Sequence, residues 1–224
     1  SVGHARVQGP FTLGANLKFV GSNLASYSSH AIVADLGGIF KHPKKELSLG
    51  LVIKNVGIVV SDYTPKNASN LPFDAQLGVS YKLDHMPLRF SVTAVKLYKY
   101  DIRYDDPNVP LPLDINGNPI PESNNNFDKI MRHTDIVFRH LVFGGEFLLS
   151  KNINLRVGYN HMMRREMYVT DIYSMAGISL GGMIRIAGFE FAYSRMNYHI
   201  AGGLNTLSVA TNFVNTFKKK TVAP

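Results

Sequence analysis

Acidic and basic side chains occur in pairs around two short turns of the sequence. Glu146 and Arg156 lie at similar distances from a turn at 150–152, and Arg185 and Glu190 flank a turn at 187–188. If each turn joins two antiparallel strands, the members of each pair lie opposite one another across a hairpin. These charges predict either a charged constriction or solute site, or a salt-bridge network that fills a polar interior.

Other catalytic or metal-binding patterns are sparse. The chain contains no Cys, which excludes disulfides, thiolate metal sites and Cys nucleophiles. Its histidines show no metal-ligand spacing, and no HExxH, GxSxG or P-loop pattern is present. We therefore predict a protein that is not an enzyme and that has no catalytic residue, metal or cofactor.

The formal net charge of +8 comes from basic residues spread along the chain. They form no single stripe with interleaved aromatic residues, so the pattern does not favour nucleic-acid binding. Contact with anionic lipopolysaccharide, or ordinary solvated charge, explains them better.

The elements that carry these charges are predicted strands with two unlike faces. Every second residue from Phe11 to Phe19 is apolar, whereas the residues between them are polar or small. The same period of two recurs along the chain at 32–40, 47–53, 73–83, 88–94, 141–149, 153–159, 178–186, 189–193 and 207–213, with a partial strand at 2–7. This predicts an all-β protein of about eleven strands. Most exceed the usual length of about five or six residues, and about nine to eleven residues cross a bilayer.

The predicted connections alternate strictly between short and long. Short turns are predicted at 8–10, 41–45, 84–87, 150–152 and 187–188, and longer connections at 21–29, 58–72, 98–137, 163–175 and 197–204. Tight periplasmic turns and long extracellular loops are typical of an antiparallel transmembrane β-barrel in the outer membrane of a Gram-negative bacterium. With this assignment the C-terminus is periplasmic, and an odd number of N-terminal strands is missing before Ser1.

The long loop at 98–137 is the predicted site of partner binding. It contains a stretch rich in Pro and Asn, which cannot form a regular helix or strand, and then a short predicted helix at 127–132. Long loops on a rigid scaffold tend to carry recognition, although solvated disorder is the alternative. The candidate binding residues are Asp105, Asp106, Pro107, Asn116, Asn124 and Phe127. The predicted domains are a partial barrel at 1–213 and a basic periplasmic tail at 214–224.

Several long stretches resemble a known family. They include LGANLKFVGSNLASYSSHAIVADLGGIF, LPFDAQLGVSYKLDHMPLRFSV, FDKIMRHTDIVFRHLVFGGEFLLSKNINLRVGYNHMMRREM and FAYSRMNYHIAGGLN. These stretches follow one another along nearly the whole chain, and they resemble the PorQ family. Proteins of that family are the barrel component of the attachment complex of type IX secretion systems. Tyr100 stands where Trp is expected and Thr206 where His is common.

The resemblance implies a FadL-like barrel of fourteen strands, eleven of them in this chain. It also implies a role in protein secretion, in which the barrel anchors the surface protein PorZ beside the sortase PorU and the shuttle protein PorV. That complex attaches cargo to anionic lipopolysaccharide, and the resemblance implies no catalytic residue in the barrel. The alternative is a FadL-like outer-membrane transporter of a hydrophobic solute, which requires a continuous apolar path through the interior.

Overall fold

The part of the protein that the structure describes consists of one antiparallel sheet with two helices in its connections. The computed structural model describes residues 1–63, 70–104, 125–167, 175–199 and 202–211. The strands are β1 (Val2–Gln8), β2 (Phe11–Leu24), β3 (Tyr27–Lys41), β4 (Leu47–Ser61), β5 (Asp74–Lys82), β6 (Leu88–Ala94), β7 (Leu141–Phe147), β8 (Ile153–Asn160), β9 (Ile178–Ile186), β10 (Phe189–His199) and β11 (Gly202–Thr211). The helices are α1 (Asn126–His140), between β6 and β7, and α2 (His161–Glu166), between β8 and β9. The predicted all-β class and the predicted number of strands are confirmed.

The strands pair in sequence order, so each strand lies beside its neighbours in the chain. Every pair is antiparallel, which is the arrangement that short hairpin connections require. Consequently, alternate connections lie at opposite ends of the sheet. We call these the short-turn end, which contains the turn at Gly9 and Pro10, and the long-connection end, which contains α1 and α2.

The strict alternation of short and long connections is wrong at two places. The predicted connection at 21–29 is largely strand, because β2 continues to Leu24 and β3 begins at Tyr27. The predicted connection at 197–204 is also largely strand, since β10 reaches His199 and β11 begins at Gly202. The prediction from the sequence ended both strands where polar residues begin. In the ladder, however, their backbone groups remain paired across the hairpin, and polarity alone does not end a strand.

The loop predicted at 98–137 also differs from the structure, because α1 extends much further than the predicted helix at 127–132. The Asn125 side chain accepts a hydrogen bond from the backbone N–H of Phe127 and caps the helix. Asp128 lies in the first turn and Arg139 in the last, where each charge favours the helix dipole. α1 continues to His140, which directly precedes β7.

The two faces of the sheet differ in chemistry. On the face that we call the apolar face, large side chains from β2 to β11 are exposed, among them Phe19, Leu51, Leu77, Val157, Leu180 and Leu207. The opposite face, which we call the polar face, carries mostly Gly, Ser, Thr, Asn and charged residues, together with a few apolar side chains such as Val33, Ile39 and Val52. The alternation read from the sequence is thus confirmed for β2 to β11, whose apolar side chains are exposed on one face of the sheet rather than buried in a core.

Candidate functional site

An open basin of about 680 Å³ lies on the polar face between β6 and β11. Small residues form most of its floor: Ser91, Gly144, Gly158, Ser179, Gly181, Ser194, Thr206 and Ser208. At Gly144 an added Cβ would collide with the Ser91 hydroxyl, and at Gly158 it would lie 2.5 Å from Ser179 Oγ. At both positions a side chain would displace a serine hydroxyl, so the two glycines allow small side chains to pack closely across the strands.

Three charged residues lie together at one side of this basin. The Glu146 carboxylate accepts a hydrogen bond from Arg89 at 2.7 Å and another from Arg156 at 3.0 Å. Glu146 lies directly opposite both arginines in the ladders of β6, β7 and β8. One carboxylate thus holds two guanidinium groups, and the cluster carries a net positive charge.

The hairpin pairing of Glu146 with Arg156 was predicted and is confirmed, whereas Arg89 was missed. Alternation with Leu88 and Phe90 assigns Arg89 to the polar face. Its opposition to Glu146 depends on the register between β6 and β7, which are separated by the connection that contains α1. Counting residues from a short turn cannot fix that register.

The second predicted pair is also confirmed as a hairpin pair. Arg185 donates to Glu190 at 2.7 Å, and the two residues face each other across β9 and β10. No ion pair among the described residues joins this pair to Glu146 or Arg156. The four predicted lumen charges therefore form two separate sites, and their position inside a closed barrel remains a prediction.

A further polar cluster, which sequence reasoning missed, surrounds a bulge in β4. Lys18 Nζ lies 2.7 Å from Asp35 Oδ1 and 2.9 Å from Asn55 Oδ1, and the Asn55 backbone N–H donates to Asp35 at 3.0 Å. Asn55 has a φ of 57°, a conformation that Asn tolerates better than most residues. The polar pair Lys54 and Asn55 interrupting an apolar strand was the available signal for this bulge.

The two helices at the long-connection end are joined through Asp135 of α1. Its carboxylate accepts a hydrogen bond from Arg139 at 2.7 Å, forms an ion pair with Arg165 at 3.1 Å, and lies 3.4 Å from His161 Nε2. Burial acts to raise the pKa of Asp135, but the Arg139 hydrogen bond and the charges of both arginines outweigh it and hold the pKa below the usual value. The ionised carboxylate of Asp135 therefore links α1 to α2 through ion pairs.

α1 is also attached to the segment that leaves β6. His140 Nδ1 lies 2.7 Å from the Val95 carbonyl oxygen and its Nε2 lies 2.9 Å from that of Tyr100. The Tyr100 hydroxyl in turn lies 2.9 Å from His133 Nδ1. Together with the buried Ile136, these contacts hold one side of α1 in a defined position.

The opposite side of α1 presents apolar side chains to solvent. Phe127, Ile130 and Met131 are exposed to 65%, 62% and 55%, and their spacing places them on one helical face. We call these three residues the α1 surface. Tyr100 and Tyr104, in the adjoining segment, are also strongly exposed.

Of the predicted partner-binding residues, only Phe127 can be located. Asp105, Asp106, Pro107, Asn116 and Asn124 lie outside the described residues, as do Phe213 and the basic tail at 214–224. Within the described ranges, no group of three or more His, Asp or Glu side chains is arranged to hold a metal ion. In the same ranges, no helix is long and apolar enough to cross a lipid bilayer.

Comparisons with known proteins do not assign the chain to a family. No protein-family model matches the sequence. The curated proteins likewise contain no significant match to it.

Proposed function

We propose that the chain forms the wall of an outer-membrane β-barrel and acts as a non-enzymatic docking component at the cell surface. The observation that supports this most strongly is the apolar face, which extends across β2 to β11 and is exposed in the protein. An exposed apolar surface of this extent requires a partner, and lipid hydrocarbon covers such a surface on every strand at once. The polar face then lines the interior.

Insertion into a bilayer also requires that the sheet close. Among the described residues, β1 and β11 are the two edges of the sheet, each paired on one side only. Unpaired backbone groups are too costly in hydrocarbon, so both edges must pair in the membrane. Further strands that bridge β1 and β11 would match the fourteen-stranded FadL-like barrels that the sequence resembles.

The docking role rests on the long-connection end. There, α1 is fixed on one side by His140 and Ile136, while the α1 surface remains uncovered on the other. A rigid helix with exposed apolar anchors has the geometry of a protein-binding element, since little conformational freedom is lost on association. The short-turn end offers only brief connections of five residues or fewer. We therefore propose that the long-connection end faces outward and binds the surface partner.

The resemblance to the PorQ family supplies a candidate for that partner. In this proposal the α1 surface and the neighbouring 105–124 segment anchor PorZ beside PorU and PorV, within the type IX attachment complex that modifies cargo with anionic lipopolysaccharide. The FadL-like transporter is less well supported. Its solute needs a continuous apolar path. A cavity of about 620 Å³ on the polar face between β1 and β6 has a mainly apolar lining that includes Ile39 and Val52. The basin between β6 and β11, however, is floored by Ser, Thr and Gly and bordered by Arg89, Glu146 and Arg156.

Replacing two anchors tests the docking proposal. The double variant Phe127→Ser, Ile130→Ser should insert normally but retain at least tenfold less PorZ at the cell surface, because each buried apolar anchor contributes about 1.5 to 3 kcal/mol. Met86→Ser is the matched control, since Met86 is an exposed apolar residue in a turn at the opposite end. Quantitative pull-down from detergent-solubilised outer membranes provides the measurement. Unchanged PorZ recovery with the double variant would contradict the proposal.

A further inference from the structure

The apolar face of β2 to β11 carries one ionised side chain among the described residues, Arg195 of β10. Its ladder partners are Leu180 on β9 and Asn205 on β11, and the next residue of β10 on the same face is Tyr193. A charge on a lipid-facing strand is costly near the bilayer centre and becomes tolerable near the interface. Arg195 therefore needs an environment that the surrounding apolar side chains do not provide.

Arg195 lies at the edge of a groove in the apolar face. Gly182 of β9 stands opposite Leu155 on β8 and Tyr193 on β10, so a side chain is missing at the centre of three adjacent strands. The resulting depression has a volume of about 610 Å³. Its apolar lining comes from Leu155, Leu180, Ile184, Phe191, Tyr193 and Leu207.

The Arg195 side chain extends along the sheet toward the long-connection end. Its Nε lies 3.4 Å from the position that a Cβ on Gly203 would occupy, and Gly203 pairs with Asn197, which is closer to that end of β10. No acidic side chain among the described residues forms an ion pair with Arg195. Beside it, the Tyr193 hydroxyl donates to Asn205 Oδ1 at 3.0 Å. The groove thus has an apolar floor, and its edge nearest the long-connection end is cationic and polar.

From this arrangement we propose that the groove binds an anionic lipid of the outer leaflet, with an acyl chain over Gly182 and a headgroup phosphate on Arg195. The inference rests on the proposed membrane location of the apolar face. A guanidinium is well suited to a phosphate because its N–H groups can bind two phosphate oxygens together. An amphiphile with an anion above an apolar chain matches both halves of the groove, whereas a free phosphate would leave the apolar half uncovered.

Lipid retention by the full-length protein tests this proposal. The protein is extracted from outer membranes in mild detergent, stripped of bound lipid, and titrated with phosphorylated lipid A or with a saturated phosphatidylcholine while native mass spectrometry counts bound lipid. Wild type should bind lipid A preferentially. Arg195→Gln should weaken lipid A binding by about fivefold, the effect typical of one basic residue at an anionic membrane surface. Gly182→Leu should also weaken lipid A binding, because the leucine side chain would occupy the place of the acyl chain. The charge of Arg195 is retained in this variant.

Two controls make the result specific. Arg6→Gln removes an exposed arginine of β1 that lies outside the groove, and it should leave lipid A binding unchanged. Excess inorganic phosphate should displace little lipid A from wild type. Equal binding by wild type and Arg195→Gln, or complete displacement by phosphate, would overturn the inference. Heat-modifiable gel mobility is recorded for every variant: inserted protein with unchanged binding refutes only the lipid site, whereas a wild type that never inserts refutes the proposed function as well.

Discussion

The apolar and polar faces of the same strands are stabilised in opposite ways. On the polar face the groups compensate each other within the protein, as Glu146 does with Arg89 and Arg156, and as Lys18 does with Asp35. On the apolar face Leu51, Leu77 and their neighbours are exposed, and none of the described elements covers them. The comparison indicates that the ion pairs of the polar face form within the chain, whereas the apolar face depends on its surroundings.

The largest expected effect comes from a charge placed on the apolar face. Leu77→Arg at the middle of β5 should destabilise the inserted protein by about 2 to 4 kcal/mol, because the guanidinium would face hydrocarbon. Ser80→Arg, on the polar face of the same strand, is the matched control and should cost less than about 1.5 kcal/mol. Urea unfolding in liposomes measures both free energies. Equal losses for the two variants would contradict the assignment of the faces.

Removing the shared carboxylate of the basin should have the next largest effect. Glu146→Gln leaves Arg89 and Arg156 with no anionic partner, and we expect a loss of about 1 to 3 kcal/mol. Glu190→Gln disrupts the more exposed pair with Arg185 and should cost less than about 1 kcal/mol. The same unfolding assay compares the two variants, and a greater loss for Glu190→Gln would show that the basin cluster is not the stronger one.

The smallest expected effect concerns α1. Asp135 has a lowered pKa, so its ion pairs are fully formed above its ordinary value near 3.8 and are lost as the pH falls through the lowered value. Asp135→Asn should increase hydrogen exchange in α1 by about two- to fivefold at neutral pH, the effect of a partly exposed ion pair. In wild type, hydrogen exchange in α1 should become faster as the pH falls through the lowered pKa of Asp135. In the variant this acid dependence should be absent. Identical acid dependence in both proteins would contradict this role of Asp135.

Periodicity predicted the strands and their faces because side-chain direction in a strand depends only on alternation. It also predicted the pairs Glu146 with Arg156 and Arg185 with Glu190, since a short turn fixes the register of its hairpin. Where a pairing spans a long connection, as for Arg89 with Glu146, local sequence contains no comparable constraint.

Strand ends were less predictable than strand faces. The polar tips of β2 and β3, from Ser22 to Ser29, resemble a loop in composition but pair as strands. Lys54 and Asn55 indicated an interruption of β4, but the contacts of Asn55 with Lys18 and Asp35 on two other strands could not be predicted. Such features depend on neighbours that the local sequence does not contain.

The alternation of environment along a single strand tests the central proposal most directly. Because the chain has no Cys, single nitroxide labels can be introduced at Leu77, Gly78, Val79 and Ser80 without background labelling. In reconstituted bilayers, collisions with oxygen report contact with lipid, and collisions with a water-soluble nickel chelate report contact with water. We predict high oxygen accessibility at positions 77 and 79 and high nickel accessibility at 78 and 80. Equal accessibility at all four positions would contradict a lipid-facing apolar surface.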